Sequence, residues 1–195
     1  MNQDEIARRL QQGGLKLSFD TNAVVTEGKF TSICENVSRW NVHLRDQGRR
    51  DVSLSVCTIM YVEKLFDLKQ RFRKTFDIGV ILESLQLKGV QVEAFDARHA
   101  VEVASRLGEW YQDTKAWHAA KRERCLHCLG LSPVNTLAAG SGRGCGATVD
   151  WLIGAHAHAE GAILVSDDKG PEFKNLDRVT LDVLQAALQH LVGVA

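Results

Sequence analysis

The 195-residue sequence lacks any apolar run close to the ~18 residues that span a bilayer, so a membrane-crossing helix is not expected. It has only two prolines and 7% aromatics, which excludes collagen-like, mucin-like and prion-like chains. It has no excess charge of either sign, with 24 Lys+Arg against 24 Asp+Glu. That excludes a nucleic-acid binder held by bulk charge, although a local basic patch remains compatible. Cysteine is sparse and odd in number, at five, which does not make a secreted disulfide scaffold and fits a reducing cytosol. The polar, acidic start Met-Asn-Gln-Asp-Glu is not a signal peptide. A GxGxxG fingerprint after the first strand and a P-loop are both absent. What remains is a cytoplasmic globular chain, 45% apolar, of one-domain size.

Several stretches alternate. Leu15, Leu17 and Phe19 flank Lys16 and Ser18, and Val52 to Cys57 repeats the pattern, so both read as strands. Val90, Val92 and Phe95 give a third strand, Ala162 to Val165 a fourth and Val179 to Leu181 a last short one. Between them lie helical periodicities. A lead-in helix ends before Gly13-Gly14, and Phe30, Ile33, Val37, Trp40 and Leu44 recur every three or four residues. Thr58 is expected to cap a helix in which Ile59, Val62, Phe66 and Lys69 share a face, and Phe76 to Leu87 is again apolar-periodic. Asp96 caps a helix with an expected inner face of Ala100, Val103, Ala104, Leu107 and Tyr111. Helices are also expected over Val149 to Ala159 and Val183 to Val192. Strands alternating with helices need crossover connections and so pair in parallel. The expected fold is a three-layer α/β/α sandwich with a central, mainly parallel sheet. It forms a single domain over 1–195, with an irregular insertion at about 112–148.

Acids stand where acids are costly. Asp20 directly follows the first strand, and Asp167 and Asp168 follow the fourth. In a parallel sheet those positions fall on the carboxyl edge, where open α/β folds bind ligands. A strand-end Asp is also an ordinary helix cap. Glu63 interrupts the expected stripe Ile59–Val62–Phe66, and a buried carboxylate needs a donor, a cation or a metal. Asp150 opens a helix of small and apolar residues, where the helix dipole alone would favour it. Carboxylates converging at one sheet edge repel one another unless a divalent cation holds them. An all-oxygen ligand set suits Mg²⁺ or Mn²⁺ rather than Zn²⁺. Such sites support phosphodiester hydrolysis.

The ordered set Phe19-Asp-Thr-Asn22, Thr58-Ile-Met-Tyr-Val-Glu-Lys-Leu65, Phe95-Asp-Ala-Arg-His-Ala100, Asp150-Trp-Leu-Ile-Gly-Ala-His-Ala157 and Ile163-Leu-Val-Ser-Asp-Asp168 resembles the PIN-domain ribonucleases of the VapC toxin type. Glu172-Phe173 completes it, and the set covers most of the chain. The resemblance implies a metal-dependent endoribonuclease toxin, an RNA substrate, a protein antitoxin and a homodimer. It implies that Asp20, Glu63, Asp150 and Asp168 are the catalytic, metal-binding acids. Asn22, Ser166 and Asp167 would support them, with Glu172 as an accessory acid. The sequence departs from the family in four places. Ser166 stands for the common Thr, Gly154 for Ala, and Asp167 precedes Asp168. The turn from Ser166 to Phe173 is longer than usual, which bears on whether Glu172 reaches the site.

Other signals are weaker. Cys125-x-x-Cys128 with Cys145 and a nearby His118 or His127 is an incomplete zinc pattern. His156 and His158 are two apart on one helix and point to different sides. Arg71, Arg73, Lys74 and Lys121, Arg122, Arg124 are basic clusters that either contact an RNA backbone or face solvent. Trp110, Trp117 and Trp151 either stack bases or pack. Two rival readings stand beside the toxin: a PIN-like nuclease of RNA processing or DNA metabolism, and a non-catalytic PIN-like binding module.

Overall fold

A computed structural model of the chain describes residues 1–72, 77–128 and 148–194. The elements are α1 (Gln3–Gln12), β1 (Lys16–Phe19), α2 (Thr21–Val25), α3 (Glu27–Asp46), β2 (Ser53–Cys57), α4 (Thr58–Phe72), α5 (Ile78–Leu87) and β3 (Val90–Glu93). They continue with α6 (Ala97–Trp110), α7 (Thr114–Cys128), α8 (Val149–Ala159), β4 (Ile163–Val165), a 3-10 turn (Pro171–Phe173), β5 (Arg178–Val179) and α9 (Leu181–Val194). The five strands are all parallel, in the order β3-β2-β1-β4-β5, with helices on both faces. This is the expected α/β/α sandwich. Among the described residues, no helix is long and apolar enough to cross a membrane.

Local chemistry explains the elements. Asn2 caps α1 by accepting the Glu5 N–H, while Ile6 and Leu10, four apart, bury one face. Gly13 ends that helix at φ +71°, where a Cβ would collide with the Arg50 carbonyl. The next residue, Gly14, donates its N–H to that same carbonyl at 2.9 Å. On β1, Leu17 and Phe19 point to one face, where Phe19 meets Phe30 of α3 edge-on at 5.1 Å. Lys16 and Ser18 point to the other. Helices α1 and α3 both pack on α9, and α6 packs on α8. Trp40 of α3 is tied to α1 by its indole N–H, which donates to the Leu10 carbonyl at 3.1 Å.

Four expectations change. On α4 the stripe Ile59–Val62–Phe66 is not the buried face: Val62 and Phe66 are 61% and 64% exposed, while Met60 is buried. On α6 the buried residues are His99 and Arg106, and Ala100 and Ala104 are exposed. The face is turned by about one residue because polar side chains with partners occupy the interior. His99 closes a capping box with Asp96, and Arg106 donates to the Glu172 and Lys174 carbonyls, each at 2.9 Å. Thr58 does not cap α4. Its hydroxyl accepts the Phe95 N–H at 3.0 Å and ties β2 to the loop after β3. Within the stretch expected to be irregular, Thr114–Cys128 is helical, whereas 129–147 lie outside the described residues.

The strand order sets the position of the site. From β1 the chain winds outward to β2 and β3, then returns to the other side of β1 for β4 and β5. The crevice above the carboxyl ends of β1 and β4 is therefore the topological switch point, where the two halves of the sheet diverge.

Candidate acidic site at the switch point

Asp20 sits on that crevice. Its N–H continues the β1–β4 ladder to the Val165 carbonyl at 3.1 Å, and its side chain is 1% exposed. One carboxylate oxygen accepts the Thr21 N–H at 2.6 Å, capping α2; the other accepts the Ser166 hydroxyl at 2.9 Å. Capping and site placement are thus the same geometry rather than alternatives. Burial pushes Asp20 up to about 6, further raised by the Asp168 and Glu63 charges and partly offset by the two hydrogen bonds.

Glu63 faces inward because it lies three residues after buried Met60, not because it breaks an apolar stripe. Its carboxylate accepts the Thr21 hydroxyl at 2.6 Å, which links α4 to the residue beside Asp20. Asp168 accepts from the Asn22 amide at 2.7 Å, and its own N–H donates to the Ser166 hydroxyl at 3.1 Å. Asp167 instead accepts the Leu181 N–H at 3.2 Å at the start of α9. Of the two aspartates, Asp168 thus joins Asn22 and Ser166, and Asp167 serves the final helix.

The other side of the crevice carries Asp150 and Glu172. Asp150 is in the first turn of α8. Burial raises its pKa, and the negative charges of Asp20 and Glu172 raise it further, against an opposing effect from Arg124. Glu172 is fully buried despite the long turn, and among the described residues its Oε1 has no hydrogen-bond partner. Two devices seat it. Arg106 holds the carbonyls of the 3-10 turn, and Gly154 of α8 lets the Glu172 carbonyl approach to 3.1 Å of where a Cβ would be. Glycine at 154 therefore serves close packing.

Arg124 of α7 bridges these two acids, with one guanidinium nitrogen 3.0 Å from Asp150 and the other 2.9 Å from Glu172. Sequence reading placed Arg124 only in a basic run. The missed signal is the spacing Trp117, Ala120, Lys121, Arg124, which falls on one helical face. Thr21, the link between Asp20 and Glu63, carried no signal.

Five carboxylates thus surround one crevice, balanced by one described cation, Arg124. Among the described residues, no three Asp, Glu, His or Cys side chains are gathered closely enough to hold a metal as they stand. The donor set still has the chemistry for a hard divalent cation: all oxygen, with Asp20 and Glu172 buried and one oxygen of Glu172 without a partner among the described residues. The side chains of Cys125, His127 and Cys128, together with Cys145, Arg71, Arg73 and Lys74, lie outside the described residues.

Neither protein-family models nor curated proteins give a match to this chain.

Proposed function

We propose that this protein is an endoribonuclease that cleaves RNA phosphodiester bonds with Mg²⁺ or Mn²⁺ bound at the switch-point acids. The observation that carries the reading is the convergence of Asp20, Glu63, Asp150, Asp168 and Glu172 on one crevice, with Asp20 and Asp150 shifted towards the neutral form. Mutually repelling carboxylates with raised pKa values cluster at functional sites. The resemblance to VapC-type PIN nucleases adds a role as the toxin of a pair, with a protein antitoxin and a homodimer. Exposed Val62 and Phe66 on α4 offer apolar surface for such partners.

Asp20, Asp150 and Asp168 are the residues that would hold the ion, with Glu63 and Glu172 at its margin. A bound Mg²⁺ or Mn²⁺ would supply an activated water near neutral pH and neutralise charge on the phosphoryl oxygens. The chain's own part is positional. The Ser166 hydroxyl and the Thr21 N–H fix both oxygens of Asp20, and Asn22 fixes Asp168. Arg106 and Gly154 keep Glu172 facing Asp150. Arg124 holds Asp150 and Glu172 together.

The test is RNA cleavage with Mg²⁺ and with EDTA, alongside Mn²⁺ binding to wild type and Asp20→Asn. Cleavage that needs the metal and is lost in the variant is expected. Absence of both cleavage and Mn²⁺ binding would overturn the reading. The Arg124 bridge favours one alternative, a module that binds RNA and does not cut it. Mn²⁺-independent RNA binding without cleavage would select that alternative.

A further inference from the structure

A cleft of about 420 Å³ opens directly beside the acids, lined by Tyr111, Trp117, Lys121, Arg124, Trp151 and Pro171. We propose that this cleft is a subsite for an unpaired nucleobase of single-stranded RNA, flanking the phosphate presented to the acids. The choice of ligand rests on the nuclease reading above.

Three features point to a base. The walls are aromatic, and Tyr111 packs against buried Trp151 with ring centroids 6.0 Å apart, a contact that restrains its ring. Among the described residues the indole N–H of Trp117 has no acceptor, which leaves one polar group unmatched in an otherwise aromatic wall. Stacking on an aromatic face is open to every base, which suits a site that grips the strand without reading its sequence. The cations supply the complement. Lys121 lies 4.6 Å over the Trp117 ring, and Arg124, one turn further along α7, reaches Asp150 and Glu172. His118 also stacks on Trp117 at 5.2 Å, so a base would enter beside that ring, next to Lys121 and within one helical turn of Arg124, which meets the acids. The cleft is continuous with the acidic crevice through Arg124, so one strand can occupy both. Duplex RNA does not fit this arrangement, because a paired base presents edges and not faces. The volume is in the range of small-ligand pockets.

The experiment uses the full chain with Ca²⁺ in place of Mg²⁺, and a fluorescein-labelled ten-nucleotide RNA of mixed sequence read by anisotropy. The same RNA annealed to its complement is the comparator. Single-stranded RNA is expected to bind more tightly than the duplex. Trp117→Ala should weaken it by roughly ten-fold, and Trp117→Phe should retain most of the affinity. Lys121→Gln should weaken it several-fold and lower the salt dependence by about one ion. Mn²⁺ affinity, followed by electron paramagnetic resonance, should not change in Trp117→Ala. Equal RNA affinity of Trp117→Ala and wild type would overturn the subsite, as would equal binding of the duplex. If circular dichroism shows Trp117→Ala unfolded, Lys121→Gln decides, and wild-type affinity there overturns the proposal. Loss of Mn²⁺ binding by wild type with RNA binding intact would sink the metal reading and leave the subsite supported.

Discussion

Two polar clusters lie on the same side of the sheet and treat their carboxylates in opposite ways. Around the start of β1, Lys16 bridges Glu93 at 2.8 Å and Glu160 at 2.7 Å, and His99 meets Glu160 at 3.1 Å. Burial alone would lower Lys16, but its hydrogen bonds to Glu160 and Glu93 win and its pKa is raised; the hydrogen bond from Lys16 lowers Glu160. His156 stacks on His99 at 4.4 Å, and burial together with the His99 charge lowers its pKa. Around the end of β1, by contrast, burial raises Asp20 and Asp150, and of the five acids two, Asp150 and Glu172, meet Arg124. The first cluster balances its charge internally and reads as structure. Among the described residues the second sets one bridging cation, Arg124, against five acids, and that surplus marks it as the candidate site.

The strongest way to break this comparison is Asp150→Asn. We expect cleavage to fall about a hundred-fold or more, since the ligand charge is gone, while the metal-free protein melts at the same or a higher temperature because one source of repulsion is removed. Unchanged cleavage with a verified substrate would mean the surplus has no catalytic use. In the balanced cluster the opposite holds. Lys16→Met leaves Glu93 and Glu160 facing each other without their shared cation, and should cost about 2 kcal/mol in urea unfolding, a value reduced for their partial exposure. Mn²⁺ affinity should be unaltered there; a change would join the two clusters into one system.

The pH dependence sharpens the contrast further. A carboxyl whose folded pKa is raised keeps its proton in the native state over a range where the unfolded chain has released it. Stability of the metal-free protein should therefore fall as pH rises from the ordinary carboxylate value near 4 through about 6 and beyond. The expected loss is about 1–3 kcal/mol, read from melting curves in EDTA. Saturating Mg²⁺ at pH 8 should remove most of the slope, because the ion stabilises the charged form. A flat profile in EDTA would argue that the surplus is already compensated. The smallest effect is expected for Arg124→Gln. With the internal cation removed from Asp150 and Glu172, Mn²⁺ should bind a few-fold more tightly by titration; weaker binding would make Arg124 a support of the ion's site rather than its competitor.

Much of this fold was legible because its strands are short, apolar and bounded by polar punctuation. Asp20, Asp150 and Asp168 stood out by position, each at a strand end or helix start. Hydrophobic periodicity failed where helices bury polar groups. On α6, His99 and Arg106 point inward because they have partners on α8 and the 3-10 turn, and a pattern that scores only apolar residues turns the helix the wrong way. On α4 the same rule placed exposed Val62 and Phe66 inside, so Glu63 was singled out for a reason the structure does not bear out. Arg124 was hidden because a cation's role depends on which acids it meets, and Asp150 and Glu172 come from distant parts of the chain.

That distance has a consequence for synthesis. Asp20 is made early, but its Ser166 partner comes 146 positions later. On a ribosome, β1, β2 and β3 can pair while Asp20 still lacks Ser166, Asp168 and Glu172. Long-range closure of this kind is slow and comes late in folding. Any activity that needs the assembled acids, the proposed RNA cleavage included, therefore waits until β4 has been made and has seated beside β1.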